Sequence, residues 1–180
     1  MKMIMFSLIS GTLSYLSVSL PHFLDHRLAI SDDVLFLFPG LLFGVFILMP
    51  LVKPTPHRLI RRIGLVLLSV AAWYVAVSIG FQVLPWAKQS PVLSCGVSGS
   101  AGVLILAVAS RTIAAVPIDF ASLLTALGVA FLGGCLIGLA VAQPRASVVG
   151  ESLYLFGFVF WQTGVAISLF RKTTANGGRR

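Results

Sequence analysis

Six long apolar stretches, each bounded by charge, proline or helix-cap residues, dominate this chain. They run approximately over Met3–Leu20, Val34–Val52, Ile63–Leu84, Val92–Ser110, Phe120–Ala142 and Ser152–Phe170. A helix needs about twenty apolar residues to cross the hydrocarbon core of a bilayer, and every stretch is near that length. Lipid offers no partners to backbone N–H and C=O groups, so only helices and closed barrels can span it. The apolar–polar alternation of barrel strands is missing here. The expected fold is therefore an all-α integral membrane protein, a single transmembrane domain over 1–180 with six helices. Composition agrees: 58% of residues are hydrophobic and 10% charged, against about a quarter charged in a soluble domain.

Local signals mark the same boundaries. Leu20 is followed by Pro21, and Ser31, Asp32 and Asp33 offer caps before the second stretch. Thr55-Pro56 reads as an N-cap with proline at the first helical position, which starts the third helix before its apolar part. Ser90-Pro91 repeats that arrangement, Asp119 can cap the fifth helix, and Ser147 can cap an early start of the sixth. The segment Met3–Leu20 could pass for a signal peptide, but no small-residue cleavage site follows it, so a retained first span is expected.

The bases orient the chain. Lys2, Lys53, Arg58, Arg61, Arg62, Arg111, Arg171, Lys172, Arg179 and Arg180 fall on one side of a six-span chain, and only Arg27, Lys88 and Arg145 on the other. The positive-inside rule then places both termini in the cytoplasm of a cell membrane, the bacterial inner membrane being the expected one. The patch of Lys53, Arg58, Arg61 and Arg62 is expected to set topology and to meet anionic lipid heads. The net charge of +8 has no soluble basic face behind it, which excludes nucleic acid as a partner. The expected partners are the bilayer and, through packing faces, a second copy or another membrane protein.

The halves resemble one another at three places: Ser10-Gly11-Thr12 with Ser98-Gly99-Ser100, Pro39-Gly40 with Gly133-Gly134, and Val75–Ile79 with Val165–Leu169. Three spans per half would make a 3+3 arrangement inverted in the membrane. An alphabet of Leu, Val, Ala, Gly and Ser also matches itself by chance.

Polar groups inside the stretches supply the candidate sites. Ser7, Ser10, Ser14 and Ser17 form a stripe on the first helix. Gly40/Gly44 and Gly134/Gly138 are small-x-x-x-small pairs suited to close helix packing. Pro39 breaks a helical hydrogen bond and can kink the second helix, with Gly40 beside it. Tyr154, Trp161 and Gln162 cluster on the sixth helix, with Trp73 and Tyr74 as aromatic counterparts on the third. Buried Gln162 needs a partner, whether another helix or a ligand. A ligand site built from Pro39, Gly40, Trp73, Tyr74, Tyr154, Trp161 and Gln162 is one expectation. It would show as a polar mid-membrane cavity lined by Gln162 and the serines of the first helix.

His22, Asp25 and His26 could hold zinc or copper, or move a proton, if their segment is helical. No phosphate loop, dinucleotide fingerprint, zincin motif or nucleophile elbow accompanies them. Cys95 and Cys135 have no Cys-x-x-Cys context. No cofactor is predicted. An ionisable group at mid-depth, the common mark of a proton- or ion-coupled carrier, is missing. A structural or accessory membrane protein is the first expectation. A transporter or channel for a small neutral or weakly polar solute is the second. A membrane enzyme using the His22/Asp25/His26 group is the third.

Overall fold

A computed structural model of the chain describes residues 2–23, 32–54, 56–80, 90–144 and 147–176, with backbone only at 20–23, 32–35 and 171–176. Every regular element among them is helical: α1 (Lys2–Phe23), α2 (Asp32–Phe43), α3 (Arg58–Ser78), α4 (Pro91–Ile113), α5 (Phe120–Val141) and α6 (Val148–Asn176). The second apolar stretch continues past α2 as a π-turn, Gly44–Leu48, and a short 3-10 turn, Met49–Leu51. Pro39 sits inside α2, where it has no N–H to give. Five residues on, the ladder slips to the wider π pattern, with the Met49 N–H reaching the Gly44 carbonyl.

The helix starts follow side-chain chemistry at two places. The Asp119 carboxylate accepts the Ser122 N–H at 2.9 Å and starts α5. The Ser147 hydroxyl accepts the Gly150 N–H at 2.9 Å and starts α6 ahead of its apolar part. Pro91 opens α4 as expected, though the Ser90 side chain makes no cap bond. The third helix starts ahead of its apolar part, as expected, but at Arg58 rather than Pro56, and Thr55 lies outside the described residues. His57 leaves the helical region at φ −102° and ψ 26°, so α3 begins at Arg58 and Pro56 lies in the turn before it.

Four segments, Arg58–Ser78, Pro91–Ile113, Phe120–Val141 and Val148–Phe170, are long and apolar enough to cross a membrane. Their outward faces are apolar: Leu67 and Val108 are each 63% exposed and Phe156 is 60% exposed. Meanwhile Ser7, Ser10, Ser14, Ser94 and Gln162 are buried. A water-soluble protein of this size would place these classes the other way round. Lipid accepts the arrangement because it wets apolar surface and penalises exposed hydroxyls.

Each helix packs on its neighbours in sequence, and α6 returns to α1, closing a ring. Neighbours run antiparallel. Gly40 of α2 and Gly44 of the π-turn that continues it meet Val70 and Val66 of α3, while Gly138 and Gly134 of α5 meet Val92 and Cys95 of α4. On the closing seam, Ser19 reaches Glu151 and Gly11 abuts Val159. The start of α1 and the end of α6 therefore share one end of the bundle. Leu48, Val52, Leu65, Val116, Ala126, Val165, Leu169 and Phe170 pack the half of the ring nearest that end.

Candidate functional site

The other half of the ring is not filled. It holds a cavity of about 80 Å³, with wall residues from all six helices. Val18 comes from late α1, Phe36, Gly40 and Phe43 from α2, and Ser69, Ala72, Trp73 and Ala76 from the second half of α3. Cys95, Ser98, Gly99 and Leu106 come from α4, Gly134 and Ile137 from late α5, and Tyr154, Phe158 and Trp161 from early α6. Antiparallel packing brings these sections to one level, from mid-depth toward the end opposite the chain termini. Phe43, Ala72, Leu106 and Trp161 belong both to the cavity wall and to the buried apolar core, so the space is continuous with that core.

Aromatic rings form much of the wall. The Trp73 and Trp161 ring centroids are 5.6 Å apart, and Phe158 lies 5.8 Å from Trp73. Phe43 sits 6.0 Å from Trp161, and Tyr154 meets Phe158 edge-on at 5.4 Å. Such tilted pairs favour edge-to-face electrostatics over flat stacking. Two glycines let the indoles come this close. A Cβ on Gly40 would lie 2.8 Å from the Trp73 Cβ, and one on Gly133 would lie 2.7 Å from the Trp161 Cβ. Trp73 is locked further, since its indole N–H donates to the Phe36 carbonyl at 2.7 Å, in the turn preceding Pro39.

Two buried polar groups on the wall have no hydrogen-bond partner among the described residues: the Ser69 hydroxyl and the Trp161 indole N–H. Ser98, on the same wall, behaves differently and donates to the Ser94 carbonyl at 2.7 Å. A buried group without a partner costs about 1–3 kcal/mol. Among the described residues, neither Lys, Arg, His, Asp nor Glu contributes to the wall.

The residues singled out from the sequence separate into distinct places. Gly40, Trp73, Tyr154 and Trp161 converge on the cavity. Tyr74, one position and about 100° round the helix from Trp73, is 55% exposed on the outer face. Pro39 is buried in α2 without lining the cavity. Gln162 is buried at the α1–α6 seam, where its amide donates to the Ser14 hydroxyl at 2.7 Å. Ser7 donates to the Met3 and Ile4 carbonyls and Ser17 to that of Ser14, so the α1 stripe serves seam and backbone. The cavity is thus apolar and lined by neither Gln162 nor the α1 serines, unlike the polar chamber expected from sequence.

The paired glycines sit at close approaches. A Cβ on Gly44 would lie 2.9 Å from the Val66 Cα, and one on Gly138 would lie 2.5 Å from the Val92 Cα. Gly134 faces the backbone of Cys95. Lys53, Arg58 and Arg61 are exposed and Arg62 is half-buried, all at the end bearing the chain termini. Asp25 and His26 lie outside the described residues, and His22 is described by backbone alone.

Sequence reading missed Ser69 and Leu106, and it named Ser98 and Gly99 only for their likeness to Ser10 and Gly11. A stripe of Leu65, Ser69, Ala72, Trp73 and Ala76 at helical spacing was the available signal for Ser69. It also missed a polar knot at the end opposite the termini. The Tyr15 hydroxyl donates to the Glu151 carboxylate at 3.0 Å and the Ser19 hydroxyl does so at 3.3 Å. This knot ties α1 to α6 beside Tyr154, whose ring is 6.5 Å from that of Tyr15. No protein-family model, no curated protein and no solved structure matches this chain.

Proposed function

We propose that this chain is a multi-pass protein whose six helices all cross a cell membrane and whose ring binds a small neutral solute. The apolar outer faces and inward polar groups support membrane residence. The positive-inside rule puts both termini in the cytoplasm of a bacterial-type inner membrane, so the cavity lies in the half of the ring nearer the outer side. The observation that carries the reading is the cavity itself, to which all six helices contribute a largely apolar wall. A purely structural or accessory bundle has no use for such a space, because close packing would be more stable. Solute binding therefore displaces the accessory role as the leading reading. Carriage across the membrane is the second reading, favoured by a cavity to which all six helices contribute.

The test is thermal unfolding of the protein in lipid nanodiscs with a panel of small neutral ketones, alcohols and amides. Binding to the folded state raises the midpoint by mass action, by about 2.7 kcal/mol at a hundredfold excess over Kd. At least one solute should stabilise the native chain and not Ala76→Leu, which pushes a larger side chain into the cavity. A panel that leaves the midpoint unchanged, or shifts both proteins equally, sinks the proposal.

A further inference from the structure

The bases at the end bearing the chain termini do not all face the same way. We infer that Arg58, Arg61 and Arg62 form a binding site for a small soluble anion carrying a phosphate group. The site stands at the other end of the ring from the cavity and does not depend on solute binding there.

Helix rotation places these three side chains. Steps of three and four residues stay on one face of a helix. On α3 such steps join Arg58, Arg61 and Arg62 to Leu65, Ser69, Ala72 and Ala76. Those last four are at most 4% exposed, so this is the face that α3 turns into the ring. The opposite face carries Leu59, Ile60, Ile63 and Leu67, each more than half exposed. A base that meets lipid headgroups belongs on the outer face, and Arg111 is placed so. It extends the exposed stripe of Leu93, Leu104 and Val108 on α4. The α3 arginines instead extend the inner stripe, beyond the point where Leu48, Val52 and Val116 fill the core. Helical side chains lean toward the N-terminus, so these reach past the start of α3 toward water. Arg58 and Arg61 are exposed. Arg62 is half-buried with its Nε sealed, so only its terminal nitrogens are left to meet a ligand.

The cluster is unfavourable without a counter-charge. Like charges at these spacings repel, and Arg58 stands in the first turn, where the helix dipole is already positive. Among the described residues the acid at this end is Asp119, whose carboxylate takes the Ser122 N–H and hydroxyl. An anion drawn from solution relieves the repulsion. Guanidinium forks grip phosphate oxygens two at a time. Three forks, with exposed Lys53 in the segment before α3, match a group with several oxygens and two or more charges better than a single carboxylate. Their inward placement selects a ligand from the aqueous phase over a headgroup at the lipid-facing side.

Pyrophosphate is the probe, titrated by calorimetry onto the protein in zwitterionic phosphatidylcholine nanodiscs. It should bind saturably. Arg58→Gln and Arg61→Gln should each weaken it about tenfold or more, as expected for one lost charge-assisted contact. Arg111→Gln removes the same charge from the outer face and should change binding by less than about twofold. The first two changes relieve repulsion at exposed positions, so the melting midpoint of the unliganded protein should not fall. Absence of saturable binding would overturn the site. Equal losses in Arg58→Gln and Arg111→Gln would also overturn it, since a diffuse positive field would then explain the binding. Phosphatidylglycerol discs supply the remaining arm. If they stabilise the native chain over Arg58→Gln while pyrophosphate does not bind in phosphatidylcholine, the site belongs to a lipid headgroup and the soluble ligand is overturned.

Discussion

Gly134→Ala and Gly128→Ala place the same methyl group on the same helix, yet the ring predicts opposite outcomes. At Gly128 a Cβ meets nothing within 4 Å. There the change simply improves helix propensity, which stabilises by about 0.5–1 kcal/mol. At Gly134 the Cβ would lie 2.9 Å from the Gly96 Cα and 2.7 Å from the Cys95 carbonyl carbon. Carbon atoms rest at about 3.5–4.0 Å, so α5 must retreat from α4 by about 1 Å, and the facing atoms lose part of their dispersion attraction. Both obstacles are backbone, so no side chain can swing aside. Overpacking of this kind costs about 1–3 kcal/mol, offset in part by the same propensity gain. The propensity gain is common to both, so the two variants should differ by about 1–3 kcal/mol. At about 2–4 °C per kcal/mol for a chain of this length, Gly134→Ala should melt about 2–12 °C below Gly128→Ala. Thermal unfolding in nanodiscs, followed by tryptophan fluorescence, reads this directly. Equal midpoints would refute the close α4–α5 approach and, with it, the geometry of the cavity wall that Gly134 forms.

Other positions test separate parts of the structure by the same unfolding assay. Ala115 follows α4 with φ at 52°, a left-handed conformation that costs a non-glycine residue about 1 kcal/mol, so Ala115→Gly should stabilise by up to that amount. Asp119→Ala removes the cap on the Ser122 N–H and should destabilise by about 1 kcal/mol; no change would mean that α5 starts without it. Gln162→Met loses the bond to Ser14 but also removes a buried carbonyl oxygen that has no partner. The two effects oppose, and the net change should stay within about 1 kcal/mol; a loss beyond about 2 would show the amide to be more deeply engaged. Tyr15→Phe removes one donor to Glu151 and should loosen the α1–α6 seam by about 1 kcal/mol, with faster cysteine labelling at positions introduced along it.

Much of the helical layout was legible because its signals are local. Asp119 and Ser147 cap helices through atoms three residues away, and Pro91 opens α4 through its own fixed φ. The one misplaced start, at Thr55-Pro56, depended on the backbone of His57, which composition does not report. The candidate site was legible only in part. Gly40, Trp73, Tyr154 and Trp161 stood out by residue type, and they do line one cavity. Tyr74 and Gln162 stood out equally and point elsewhere, Tyr74 outward and Gln162 into the α1–α6 seam. Residue type says what a side chain can do, while helix rotation decides where it does it.

Sequence alone determined that this chain is helical, largely apolar along its helices and richer in bases than acids. Those properties follow from length, hydropathy and the cost of unsatisfied backbone in lipid. Tertiary structure alone decided that α6 closes on α1, that one half of the ring is packed, and that the other half is open. The physical reason is that lipid and protein interior are alike in polarity, so hydropathy cannot tell an outward leucine from an inward one. Leu67 and Leu65 are two positions apart and chemically identical, yet one is 63% exposed and the other fully buried. Only the packing of neighbours, set largely by where glycines let backbones approach, separates them and leaves room for the cavity.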